Sequence, residues 1–252
     1  MLELVNISKS YGQKQVLDQV NLCLPEAQSI VLSGRSGGGK TTLIKIIAGL
    51  LSDYSGELLL HGERLAKSVR QRSFDQCAKI QYIFQDPYSS LDSKKTVQET
   101  LHKTLEFCRR NHHEALEPEE ALALVDPQML RLWERPIATL SGGQRQKICI
   151  ARALIPKPEI ILADEICSML DMESSLQIYD SLHQLKERFA VSILIVMHDI
   201  DFTYNKWERI VLLDQAKIVE NIGFSSFLDH AESPYARKLI EAYDYFEKRR
   251  QK

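Results

Sequence analysis

Apolar residues along the chain recur with two periods, and the places where one gives way to the other mark out its elements. "LELVNI" and "VNLCL" carry apolar residues at alternate or nearly alternate positions on either side of the turn-like "SYGQKQ". Alternation is the period of a strand with one buried face, so the pair predicts an antiparallel edge sheet. "SIVLSG" is instead a short apolar run ending in glycine, and the following "RSGGGKTTLIKIIAGLL" spaces its apolar residues as a helix does from Leu43 to Leu51. The order predicted is strand, glycine loop, helix. Further strands are expected at "GELLLHG" and at "KIQYIFQ", which ends on Gln85.

From residue 86 to residue 155 the sequence turns charged and helix-favouring, as in "TVQETLHKTLEFCRRNHHEALEPEEALALV", which predicts a helical insertion. Strand character returns at "EIILAD" (159–164) and "SILIVMHD" (192–199), each preceded by a helical pattern. That succession is the signature of βα units in a parallel sheet. Beyond Ser226 the chain reads as helical and increasingly basic. The fold class expected is α/β: a mostly parallel sheet with helices on both faces, an antiparallel β edge and an inserted helical subdomain. It divides into a core over 1–85, the helical subdomain over 86–155, a second core part over 156–225 and a helical extension over 226–252.

Gross composition narrows the function classes. With 32 basic against 34 acidic residues among 252, and a net charge of −2, the chain offers no broad electrostatic footprint for nucleic acid. Five scattered cysteines, none in a Cys-x-x-Cys pair, and an N-terminus unlike a secretory signal point to reduced thiols in the cytosol. No apolar run approaches the roughly 20 residues that span a bilayer. A membrane role is therefore expected to come through a partner.

"GRSGGGKT", Gly34 to Thr41, matches G-x-x-x-x-G-K-[ST] in the required setting between a strand and a helix. Main-chain N–H groups from Gly34 through Arg35, Ser36, Gly37, Gly38 and Gly39 would face phosphate oxygens, as would the helix start at Lys40, Thr41 and Thr42. Lys40 would reach the β- and γ-phosphates, and the Thr41 hydroxyl would ligate Mg²⁺. A merely flexible turn explains neither the Lys-Thr pair nor the two flanks. "EIILADE" supplies acid: Asp164 and Glu165 sit at the carboxyl end of a strand, where open α/β sheets bind ligands. Asp164 would hold Mg²⁺ through water, and Glu165 would act as general base on a water, typically worth about 10²–10⁴-fold. A third stretch, "LSGGQRQ" at 140–146, read alone is a helix N-cap with Gly-Gly ahead of a surface helix.

In chain order, the phosphate loop, "LSGGQRQKICIARAL" (140–154), "ILADE", "SMLD" (168–171) and "IVMHD" (195–199) resemble the ATPase subunit of an ABC transporter over nearly the whole chain. The resemblance implies a P-loop NTPase core with ATP and Mg²⁺ as cofactors. It implies that Tyr11 stacks on adenine, that Gln85 links Mg²⁺ and the attacking water to the transporter interface, and that His198 is a switch contacting the γ-phosphate. It also places Asp171 in the nucleotide-binding set. In this family the nucleotide lies between the phosphate loop of one subunit and the "LSGGQ" of the other. Ser141, Gly142, Gly143 and Gln144 would then contact the nucleotide bound by a partner chain.

"FQDPYSSLDSKKTVQETL" (84–101) and "SPYARKLIEA" (233–242) are similar to segments of the ATPases of oligopeptide, dipeptide and nickel importers. That likeness implies a second ATPase subunit, either a related chain or a second copy, and two membrane permease subunits. An extracytoplasmic binding protein would act indirectly, and the chain would lie peripherally on the cytoplasmic face of the membrane. The pattern is departed from at Asp92-Ser93, where Asn-Pro is common, and in the run-on "YDYFEKRRQK", where a proline is usual. Ile166-Cys167 stands in place of Pro-Thr; Asp164, Glu165 and Asp171 are retained, so catalysis is expected to survive. The alternative is a soluble ABC-type ATPase acting on nucleic acid or as a regulatory module. A repair-type member would need a long coiled-coil or zinc-binding insertion, and a translation-type member would normally carry two ATPase units in one chain.

Overall fold

The computed structural model describes residues 1–197 and 206–250. Strand β1 (Leu2–Tyr11) returns as β2 (Lys14–Leu24) through a tight turn at Gly12, whose φ of +59° favours glycine. The predicted turn "SYGQKQ" is thus mostly strand, with Tyr11 already paired to Lys14. β3 (Ser29–Gly34) runs through the glycine loop into α1 (Lys40–Ile47). The helix stops short of the predicted Leu51 because Gly49, at φ +72°, turns its N–H back onto the Ile46 carbonyl.

Next come β4 (Ser55–Leu60), β5 (Glu63–Arg64), α2 (Phe74–Lys79) and β6 (Ile80–Ile83). Residues 86–155 hold α3 (Pro87–Ser90), α4 (Val97–Arg110), α5 (Pro118–Val125) and α6 (Gly142–Leu154). Then follow β7 (Ile160–Asp164), α7 (Met172–Phe189), β8 (Ser192–Val196), β9 (Arg209–Asp214) and β10 (Lys217–Gly223). The chain closes with α8 (Phe227–His230) and α9 (Pro234–Arg250). The pattern reading names no strand at β9 or β10, although "RIVLLD" is an apolar run of strand length.

Among the described residues the strands form two sheets. One is antiparallel in the order β2-β1-β4-β5, and the other runs β10-β9-β3-β8-β7-β6 with every pairing parallel except β10 to β9. The parallel strands β3, β7 and β8 are buried along their whole length, as expected where both faces are covered. Alternate residues serve two cores. Ile30, Leu32, Leu162 and Leu194 pack with α1 and the antiparallel sheet, whereas Val31, Ile161, Ala163 and Ile195 pack with the helices α4 to α7. Since β3 and β7 flank β8 in parallel, the phosphate loop and the acidic pair leave the sheet at the same edge.

Candidate functional site

The glycine loop is shaped by close backbone contacts. A Cβ on Gly34 (φ +152°) would meet the Leu213 carbonyl oxygen at 2.1 Å, and one on Gly39 (φ +99°) would meet that of Val16 at 2.4 Å. Gly39 is also the N-cap of α1 and gives that helix no side-chain cap, so first-turn N–H groups face outward where an anion can take them. Lys40 is only 4% exposed and donates to the carbonyls of Gly34 (2.7 Å) and Arg35 (2.9 Å), bracing the loop from within. Burial holds its ammonium below the ordinary lysine value, while the charges of Glu165 and Asp164 pull the other way.

The acidic strand end meets this loop. Thr41 Oγ1 donates to Asp164 Oδ1 at 3.2 Å, and Tyr82 Oη donates to Asp164 Oδ2 at 2.6 Å. Asp164 is 3% exposed, so both of its oxygens are satisfied by protein donors rather than bulk water. A hydroxyl and a carboxylate side by side are the hard oxygen donors that suit Mg²⁺ bound jointly with nucleotide phosphates. The residues present therefore fit the ion. Glu165 follows with φ +51°, a left-handed conformation that costs a non-glycine residue about 1–3 kcal/mol and persists where surroundings enforce it. Its N–H is fixed by the Val196 carbonyl at 3.2 Å.

Gln85, just beyond β6, donates through Nε2 to Glu165 Oε2 at 3.1 Å and to Ser168 Oγ at 3.4 Å. A cleft of about 400 Å³ is lined by Tyr11, Val16, the loop residues Ser36–Gly39, Lys40, Thr41, Thr42 and Glu165. Tyr11 is half exposed, and the Lys9 ammonium lies 4.8 Å from its ring centroid. One cation against an aromatic face leaves the remaining surface for a flat apolar ligand. His198 lies outside the described residues.

Ser141 to Gln144 do not line this cleft. They begin α6, where Ser141 Oγ accepts from Gln144 N at 3.3 Å and Gln144 Oε1 accepts from Ser141 N at 3.0 Å, a reciprocal capping box. That arrangement leaves the Ser141 hydroxyl proton and the next helix N–H groups for a ligand outside. The Gly142 position faces the Tyr88 hydroxyl and Leu170, and Gly143 faces Ser174 and Leu170, so the Ser-Gly-Gly start abuts "SMLD" of the same chain. Asp171 caps α7, accepting from Ser174 N at 2.8 Å and from Ser174 Oγ at 3.0 Å. The Ser174 N–H holds its carboxyl below the usual range.

The Ile166-Cys167 turn is closed by main-chain bonds from Ser168 N to Glu165 O (3.0 Å) and from Leu170 N to Cys167 O (3.1 Å). Burial pushes the Cys167 thiol up to about 12, so it is an inert filler rather than a nucleophile. The motif series contains neither Tyr82 nor Lys9. The one signal for Tyr82 is a hydroxyl-bearing residue on the segment predicted as a strand to Gln85, of which the structure keeps Ile80–Ile83 as strand.

Residues 17–168 match the ABC transporter family. The Nickel import ATP-binding protein NikE of Shigella boydii serotype 4 (strain Sb227) is 33% identical over 215 residues, covering 84% of this chain and 80% of that protein. The Glutathione import ATP-binding protein GsiA of Escherichia coli O157:H7 is 32% identical over 243 residues, 94% of this chain but 38% of that longer protein. Among solved structures, the ATP-binding cassette MJ0796, a dimer in a post-hydrolysis state bound to ADP and Pi, superposes with a TM-score of 0.72 at 28% identity. It covers 90% of this chain and 100% of its own. The ADP conformation of the cassette MJ1267 shares the fold at a TM-score of 0.77 and 22% identity, covering 97% and 98%. With a match that runs from the phosphate loop through the Ser-Gly-Gly helix to the acidic strand end, the chain belongs to the ABC transporter family, as one of its ATP-hydrolysing subunits.

Proposed function

We propose that this chain binds Mg·ATP in the Lys40 cleft, closes against a second ATPase chain and hydrolyses the nucleotide to power uptake through two membrane permease subunits. The observation that carries the reading is the convergence of Lys40, Thr41, Asp164 and Glu165 on one edge of the sheet. Loop N–H groups and Lys40 bind and orient the phosphates, so hydrolysis rests on positioning and charge rather than covalent chemistry. Glu165, steered by Gln85, takes a proton from water attacking the γ-phosphorus in line. Thr41, and Asp164 through water, would hold Mg²⁺ with Gln85 nearby, and the ion would supply positive charge at the phosphates.

Ser141–Gln144 lie away from the Lys40 cleft, which supports the reading that they contact a nucleotide held by a partner, a related chain or a second copy. Among the described residues no helix is long and apolar enough to cross a membrane, so docking on permease subunits at the cytoplasmic face would provide the membrane association. Relatives named for nickel import and for glutathione import support an importer whose cargo is a peptide, nickel or a metal chelate. An extracytoplasmic binding protein would deliver that cargo. Purification from detergent-solubilised membranes tests the assignment: the chain should co-purify with permease subunits and hydrolyse ATP, and Lys40→Ala should abolish hydrolysis. Recovery only as a soluble species on nucleic acid would overturn the importer reading.

A further inference from the structure

Asp164 has a partner outside every motif of the series. Its two carboxylate oxygens are divided between two donors, Thr41 Oγ1 on Oδ1 and Tyr82 Oη on Oδ2, the second being the shorter at 2.6 Å. We infer that Tyr82 is a positioning residue for the cation site: its hydroxyl fixes Asp164 Oδ2, so that Oδ1 and the Thr41 hydroxyl are presented together to Mg²⁺. This inference rests on the Mg·ATP reading above and adds to it a residue on β6.

The geometry favours a specific orienting contact over incidental packing. The terminal torsion of an aspartate is broad and roughly two-fold, so a buried carboxylate bound at one oxygen alone can still turn. A second, charge-assisted hydrogen bond removes that freedom. Tyr82 sits in parallel register opposite Leu162, two residues before Asp164, and its ring reaches forward over about 6–7 Å of strand. The ring itself is fixed, packing on the α1-side core and against Phe84 edge to face at 4.6 Å between centroids. A phenylalanine or methionine would fill the same volume and orient nothing. Tyr82 and Gln85, three residues apart, thereby grip Asp164 and Glu165 respectively.

Tyr82→Phe in the full chain tests this. The concentration of free Mg²⁺ giving half-maximal hydrolysis should rise roughly ten-fold or more, the usual range when a group orienting a metal ligand is lost. The KM for ATP at saturating Mg²⁺ should stay near that of the parent. A readout independent of turnover is thermal stabilisation by nucleotide: the increment with Mg·ATP over ATP plus EDTA should shrink, beyond the fall in ligand-free melting that loss of one buried hydrogen bond brings, while ATP binding in EDTA stays unchanged. An unaltered Mg²⁺ requirement would overturn the inference. So would equal losses of melting temperature and metal-free ATP binding, which would make Tyr82 a packing residue only. If the parent chain itself binds and hydrolyses ATP without regard to Mg²⁺, the underlying reading fails, and the role of Tyr82 falls with it.

Discussion

Gln85 Nε2 donates to Glu165 Oε2 at 3.1 Å, joining the second residue beyond β6 to the carboxylate placed to activate water. Replacing that carboxylate by an amide keeps the shape and removes the base. Glu165→Gln should lower turnover by about 10²–10⁴-fold, leave ATP binding intact and let ATP-loaded dimers accumulate. Phosphate release and size-exclusion chromatography with ATP report both effects, and near-normal turnover would remove Glu165 from the role.

Ser141→Ala should cost about 1 kcal/mol of stability through loss of the α6 cap. Its larger effect should fall on hydrolysis, because the lost hydroxyl serves a nucleotide outside this chain's own cleft. Equilibrium ATP binding by the isolated variant should match the parent. In a homodimer, mixing Ser141→Ala with Lys40→Ala chains should restore hydrolysis, since the phosphate loop of one and the Ser-Gly-Gly turn of the other complete one site. Loss of ATP binding by the isolated Ser141→Ala chain would refute a split site.

Tyr11→Ala should weaken ATP binding by about 1–3 kcal/mol, the worth of one base–aromatic stack. Tyr11→Trp should preserve it. Calorimetric titration of each variant with ATP, beside its melting temperature, separates stacking from a structural defect; in the parent Lys9 is bonded at 2.7 Å to Asp53, a partner that neither substitution removes.

Glu208 predicts acid sensitivity. Burial raises its carboxyl, but hydrogen bonds from Lys186 and Ser29 outweigh that and leave it below the usual 4.5. A depressed folded-state value means that the stabilisation is present above the unfolded value and is lost as pH falls through the folded one. Glu208 ties the start of β9 to β3 and α7, with its Oε2 accepting from Ser29 N at 2.7 Å and its Oε1 from Lys186. Glu208→Gln should melt lower at pH 7, and its melting temperature should then decline less steeply below about pH 5. Parallel curves for parent and variant would show that Glu208 does not govern the acid limb.

The parts of the site that were legible in the sequence are those built from contiguous residues. A phosphate loop is a strand, a glycine turn and a helix start in one run, and Asp164-Glu165 ends an apolar run, so one strand pattern locates both. Contacts between strands were hidden. Tyr82 meets Asp164 only because β6 pairs with β7 in one register, which no periodicity states. Asp171 and Gln144 carry a second role that the motifs do not state: both take part in helix capping, at the starts of α7 and α6. The central place of β3 between β8 and β9 was equally invisible, because strand order is not written along the chain.

Among the described residues β6 is one of the two edge strands of its sheet, hydrogen-bonded to β7 alone. A border strand can slide or tilt by breaking one ladder, whereas β3, clamped on both sides, must break two. The phosphate loop and the acids thus both leave doubly paired strands, β3 and β7, whereas Tyr82 and Gln85, which grip the acids, sit on and just beyond a singly paired one. A small push arriving through residues 86–95 would meet Gln85 and then Tyr82, whose hydrogen bonds reach Glu165 and Asp164 respectively. The scaffold thus has the build of a lever, with its fulcrum along the β6–β7 ladder.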